Sequence, residues 1–242
     1  MSLKSSPVTP GTITAGNISN LRSDMKLLLT SEGITNASIA RALEVLLGKP
    51  LNETRVSYVP TAANVDKDDK SGVELDMRRV RDLGVRSFEV IDISVDPKEK
   101  WLPSFEQANL IAFGGGVETY LLDCLEKSGV QQKLADLLKT RVYLGLSAGS
   151  MATAKTIALR DVGILYYDKE DDMPLRNGLG FVDFEIRPHL NNPGFPKVRV
   201  DYLEKLAREN PTPFYALDDA SAVKVDGDKI TVVSEGEWKK FH

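Results

Sequence analysis

Residues 142–150 read Val-Tyr-Leu-Gly-Leu-Ser-Ala-Gly-Ser, and this stretch decides the fold. Its first five residues form a short apolar run of the kind that makes a strand buried on both faces of a parallel sheet. The run then completes a G-x-S-x-G pattern, Gly145-Leu146-Ser147-Ala148-Gly149. In that pattern a strand turns sharply into a helix and exposes the serine hydroxyl. Glycine two positions either side of Ser147 leaves room where the turning backbone approaches its neighbours. The amide of Ala148, just after the serine, is placed to face an oxyanion at a helix N-terminus.

The flanking sequence supplies the rest of a layered α/β domain. Apolar runs at 25–30, 55–59, 88–93 and 110–113 read as strands. Helical periodicity over 36–47, 73–83, 118–127 and 131–139 lies between them, with Gly48, Gly84 and Gly129 as stops. Strands alternating with helices predict βαβ units and a parallel sheet. Beyond residue 157 the rhythm changes to a strand at 182–186, a helix near 198–209, and strands at 214–217, 222–225 and 230–233. The expected architecture is a three-layer sandwich with a mostly parallel central sheet. Residues 25–242 are read as one such domain, and residues 1–24, rich in Ser, Thr, Gly, Pro and Asn, as a flexible extension.

Composition narrows the function. The chain has 242 residues, 42% hydrophobic and 27% charged, with a net charge of −4. Such a chain buries a sizeable core without staples. A single cysteine, Cys124, excludes a disulfide framework and a cysteine zinc site. Mild acidity speaks against a nucleic-acid partner, and no run reaches the roughly 20 apolar residues of a membrane span. The expectation is a soluble, cytoplasmic protein that needs no metal and no cofactor.

A serine hydroxyl is a weak nucleophile and needs a base beside it. The chain holds two histidines, and His242 is its last residue, so the candidate base is His189, just beyond the strand at 182–186. The orienting acid has two candidate groups. Asp168, Glu170, Asp171 and Asp172 lie between the serine and the histidine, and Asp218 and Asp219 follow the strand at 214–217. Gly114-Gly115-Gly116, after the strand at 110–113, lacks the spacing of a phosphate loop. At the carboxyl end of a strand it can supply a second oxyanion amide.

Together the segments GGGVETYLL, GLSAGS, DDMP and GFVDFEIRPH resemble the peptidase E family, the α-aspartyl dipeptidases, over about residues 25–233. The resemblance implies a fold like that of class I glutamine amidotransferases, with Ser147 as nucleophile and His189 as general base. It further implies Asp172, of Asp172-Met173-Pro174, as third member, with Asp219 as the alternative. Gly115 or Gly116 with Ala148 would supply the oxyanion amides, and Arg199 would meet the side chain of an N-terminal aspartate. The implied substrate is a short peptide, in particular a dipeptide beginning with Asp, cleaved by a monomer or homodimer. Val117-Glu118-Thr119 departs from the Asn-Thr-Phe expected after the glycines. A cyanophycinase-like isopeptide hydrolase and a non-catalytic ligand-binding relative are the competing readings.

Overall fold

The computed structural model describes residues 24–65, 70–168 and 175–242. The expected extension at 1–24 lies outside these apart from Asp24. A seven-stranded sheet dominates, in the order β11-β10-β1-β5-β4-β2-β3. Its parallel part comprises β1 (Lys26–Thr30), β2 (Arg55–Val59), β3 (Ser87–Val90), β4 (Leu110–Phe113) and β5 (Val142–Leu146). The hairpin β10 (Ser221–Asp226) and β11 (Lys229–Ser234) extends it antiparallel, turning at Gly227 with φ 58°.

The central strands are apolar throughout because both faces are covered. Leu27, Leu29, Ile111, Phe113 and Tyr143 point into one core, and Leu28, Leu110, Ala112, Leu144 and Leu146 into the other. This is the period-two alternation of a strand, here apolar on both sides. Each such Leu, Ile or Phe side chain, taken fully out of water, contributes about 1.5–3 kcal/mol. Helix α1 (Ala37–Leu47) covers the second face with Ile39, Leu43 and Leu46. It starts where the Asn36 side chain accepts from the Ile39 amide and stops at left-handed Gly48. Helix α2 (Ser71–Arg81) packs on that face through Val80.

The opposite face carries α3 (Lys98–Gln107), α4 (Glu118–Lys127) and α5 (Val130–Leu137). The expected helix after the serine is only a single turn, α6 (Ala148–Met151), because Ala154 bridges to Val182 and the chain enters β6 (Thr156–Ala158). That strand pairs with β7 (Leu175–Asn177), and α7 (Leu159–Tyr166) lies between them. The strands expected at 182–186 and 214–217 do not join the main sheet. They appear as β8 (Glu185–Arg187) and β9 (Phe214–Leu217), which pair parallel, and β12 (Trp238–Phe241) completes this second sheet. Helix α8 (Val200–Glu209) packs against it through Leu203 and Leu206.

Candidate active site

Ser147 stands at the carboxyl end of β5 with φ 46° and ψ −107°. A non-glycine residue held there stores of the order of 1–3 kcal/mol, and only surrounding contacts keep it. Those contacts are specific. The Ser147 amide donates to the Thr30 carbonyl at 3.2 Å, the Ser150 hydroxyl donates to the same carbonyl at 2.8 Å, and the Tyr143 hydroxyl donates to the Gly149 carbonyl at 2.6 Å. A Cβ on Gly145 would lie 2.7 Å from the Ser150 nitrogen, and one on Gly149 would lie 2.1 Å from the Phe113 carbonyl oxygen. The two glycines of the motif are therefore required by close backbone approach.

His189 follows β8, and its Nε2 lies 3.0 Å from Ser147 Oγ. Its Nδ1 lies 2.7 Å from Asp219 Oδ1. Burial alone would raise the Asp219 pKa. Hydrogen bonds from His189, Asn192 and Ser31, with the histidine's charge, outweigh burial and hold the carboxyl well below the usual range. An ionised carboxylate only accepts, so Nδ1 carries the hydrogen and Nε2 faces the serine as an acceptor.

The imidazole is fixed on every side. Its own amide donates to Ser31 Oγ at 2.7 Å, and that hydroxyl donates to Asp219 Oδ1 at 2.9 Å. The ring stacks on Phe195, with centroids 4.6 Å apart and planes at 18°. Asn192, in the same turn as Phe195, donates from Nδ2 to Asp219 Oδ2 at 2.5 Å. The strand that delivers His189 is itself anchored by a buried ion pair between Arg187 and Glu185, and Glu185 Oε1 accepts from the Ala158 amide at 3.1 Å.

The other sequence candidates that are described fall elsewhere. Glu170, Asp171 and Asp172 lie outside the described residues, and the position beside Nδ1 is filled by Asp219. Asp168 pairs with Lys197 on the surface at 2.6 Å. Asp218 accepts from the Ala220 amide and the Ser221 hydroxyl, which shapes the turn before β10. Arg199 does not reach the site. Its guanidinium donates to the carbonyls of Val198 and Asn192 at 3.1 and 3.3 Å, at the start of α8, and it is not among the residues lining the cavity. Glu118, from the atypical Val-Glu-Thr step, turns inward and accepts from the Tyr167 hydroxyl at 3.0 Å. Burial raises its pKa, against the amides of α4 and that hydroxyl.

Ser147 and His189 open onto a cavity of about 980 Å³. Gly115 and Gly116, after β4, form its wall beside the serine. A Cβ on Gly115 would lie 3.6 Å from Ser147 Cβ, so this loop and the Ala148 amide flank the hydroxyl. Cavity residues that escaped the sequence reading include Ser31, Asn192 and Phe195 around His189, and two acidic ones, Glu32 and Asp76. Asp76 sits within α2, where a charged residue at helical spacing reads as solvated. Its side chain is only 14% exposed. Burial, with the Glu32 charge, pushes its carboxyl up to about 7, against the opposing pull of Arg79, the Gly115 amide and His189. Donor atoms of Glu32, His189 and Asp219 lie within 4.8 Å of one another. Asp219 and Ser147 already engage both imidazole nitrogens, and Arg79 binds Glu32 at 2.9 Å, so the group reads as a hydrogen-bonded set rather than a metal cage.

A strand-to-helix turn carries a histidine-paired serine, and comparison with known proteins gives the family. The profile of Peptidase family S51 matches residues 27–233, and the chain belongs to that family. It is 27% identical over 227 residues to peptidase E of Streptomyces coelicolor, covering 90% of this chain and 87% of that protein. It is 26% identical over 226 residues to peptidase E of Shewanella denitrificans, covering 89% and 90%. Among solved structures, a peptidase from an acI-B1 actinobacterium superposes with a TM-score of 0.67 at 20% identity, covering 90% and 92% of the two chains. The fold is thus that of peptidase E proteins. No helix among the described residues is long and apolar enough to cross a membrane.

Proposed function

We propose that the protein is a serine-type peptidase that hydrolyses short peptides, dipeptides foremost, through Ser147, His189 and Asp219. The 3.0 Å approach of Ser147 Oγ to His189 Nε2 carries this reading. Ser147 Oγ attacks the scissile carbonyl carbon while Nε2 takes its proton, and the Asp219 carboxylate stabilises the imidazolium that results. The amides of Gly116 and Ala148 receive the developing oxyanion, since that of Gly115 is engaged by Asp76. Removing one such donor costs roughly 3 kcal/mol in comparable sites. His189 then returns the proton to the leaving amine, and the C–N bond breaks to give a seryl ester. A water that gives its proton to Nε2 hydrolyses the ester and regenerates the hydroxyl.

A preference for N-terminal aspartate, implied by the family resemblance, loses its named anchor because Arg199 is spent on backbone carbonyls. Substrate choice is therefore assigned to short peptides without that restriction. The test is labelling of Ser147 by a fluorophosphonate, together with turnover of a panel of dipeptides beginning with Asp, Ala and Lys. Wild-type protein is expected to label and to turn over, and Ser147→Ala to do neither. Undiminished turnover by Ser147→Ala would remove the assignment.

A further inference from the structure

We propose that Asp76, assisted by Glu32, forms a cation subsite beside Ser147 that binds a positively charged nitrogen on the residue preceding the scissile bond. This rests on the peptidase reading above and names the chemistry of its substrate.

Position comes first. Gly115 is flanked on its open side by both groups, since a Cβ there would lie 3.6 Å from Ser147 Cβ and 3.8 Å from Asp76 Oδ2. A carbonyl held at the Ser147 hydroxyl, against the Gly115–Gly116 loop, therefore has the Asp76 carboxyl alongside. In a peptide cleaved after its first residue, the α-nitrogen is about 2.5 Å from the carbonyl carbon. A free amino terminus consequently falls within reach of Asp76 when its carbonyl is in place.

Charge comes second. Glu32 and Asp76 line the cavity, and no Lys or Arg does so among the described residues. Arg79 neutralises Glu32 in part, through its 2.9 Å pair, and stands 3.9 Å from Asp76 Oδ1. A low-dielectric cavity with this balance favours a cation and disfavours an anion.

An incomplete polar set comes third. The Tyr58 hydroxyl is fully buried and has no hydrogen-bond partner among the described residues. It faces the glycine loop, 2.5 Å from where a Gly114 Cβ would stand, and is near enough to Asp76 for the carboxylate to help raise its pKa, behind burial. A phenol oxygen with unused capacity to accept, next to a carboxyl whose ionisation is held back to about 7, describes a site that a ligand N–H group completes. The groups facing Asp76 are Arg79 on its own helix, Glu32 after β1, Tyr58 on β2, the Gly115 amide after β4, and His189. A bound cation adds to Arg79, the Gly115 amide and His189, which favour the ionised form against burial and the Glu32 charge.

Two sources offer this chemistry, a free amino terminus and a basic first side chain. The experiment compares p-nitroanilides of Ala and Lys, each with a free and an acetylated α-nitrogen, on wild type, Asp76→Asn and Glu32→Gln. For wild type, kcat/KM with Ala-p-nitroanilide should exceed that of its acetylated form at least 100-fold if the amino terminus is bound. A Lys-over-Ala preference that survives acetylation assigns the side chain instead. In either case Asp76→Asn should lower kcat/KM for the cationic substrate 10- to 100-fold, mainly through KM, and leave acetyl-Ala within threefold. Glu32→Gln should act in the same direction, less strongly. Wild-type kcat/KM for the cationic substrate should also rise through pH 7 with a component absent for acetyl-Ala and absent in Asp76→Asn. A labelled, active enzyme that ignores charge at this nitrogen, or keeps its preference in Asp76→Asn, overturns the subsite alone. A protein whose Ser147 does not label removes the peptidase reading and this proposal with it.

Discussion

Asp219 adjoins His189 and Asp76 adjoins the glycine loop beside Ser147, and the fold drives their ionisation in opposite directions. Asp219 is half-buried but receives hydrogen bonds from His189, Ser31 and Asn192, which hold it charged. Asp76 is more deeply buried and sits near the Glu32 charge, and one backbone amide, Arg79 at 3.9 Å and the His189 charge do not offset this, so its ionisation is resisted up to about 7. The lesson concerns donors more than depth. A carboxylate supplied with enough N–H and O–H groups stays ionised where an undersupplied one does not. In the proposed chemistry the first group holds an imidazolium and the second receives a positive charge.

The strongest way to break this contrast is to remove the charge from Asp219. Asp219→Asn should lower kcat by about 10³–10⁴-fold, because an amide can impose the wrong imidazole tautomer while leaving the geometry intact. Steady-state rates on the preferred dipeptide, with circular dichroism to establish folding, measure it. A loss under tenfold would separate Asp219 from catalysis.

Next in size is the anchor beneath the histidine. Arg187→Met leaves Glu185 buried without its partner and should reduce stability by about 3–5 kcal/mol, read as a lower urea midpoint. An unchanged midpoint would show that the pair does not hold β8.

Asp76 makes the opposite prediction for stability. Below its ordinary pKa of 3.8 the carboxyl is protonated whether folded or unfolded, and nothing is lost. As pH rises from there to about 7, the unfolded chain releases the proton and the folded one retains it, so stability falls; above 7 the loss is constant. The full shift corresponds to about 4 kcal/mol. Asp76→Asn should recover roughly half, a rise in Tm of about 4–8 °C at pH 8 and little change at pH 4. An equal effect at both pH values would refute the burial argument. The smallest effect belongs to Arg199. Arg199→Ala should change the ratio of kcat/KM between Asp- and Ala-initiated dipeptides by less than about threefold, since its hydrogen bonds are to backbone carbonyls at the start of α8. A larger change would return it to the substrate.

What was readable in the sequence was contiguous. A buried strand, a glycine-flanked serine and a following turn lie within residues 142–150, so the elbow declares itself. His189 emerged from a count of two histidines. The sequence leaves the acid open between two groups, and the family resemblance implies Asp172. Asp219 reaches the ring through a non-local pairing: β8 and β9 run parallel, Arg187 opposite Ala216, so the residues just past each strand come together. Leu190 donating to the Leu217 carbonyl at 2.9 Å seals that junction. Helix α3 was missed because Pro103 and three charged residues at its start obscure the periodicity of Trp101 and Phe105. Asp76 was missed for a related reason. Helical spacing places it on a polar face, and only the tertiary packing turns that face toward the glycine loop.

The turn containing Asn192 and Phe195 governs two partners at once. Four residues set both the plane of the imidazole, through the stacked ring, and the grip on its carboxylate, through the side-chain amide. A single insertion or deletion there would unseat acid and base in one event, which makes the length of this short connection an all-or-none determinant of whether a descendant of this chain keeps its chemistry.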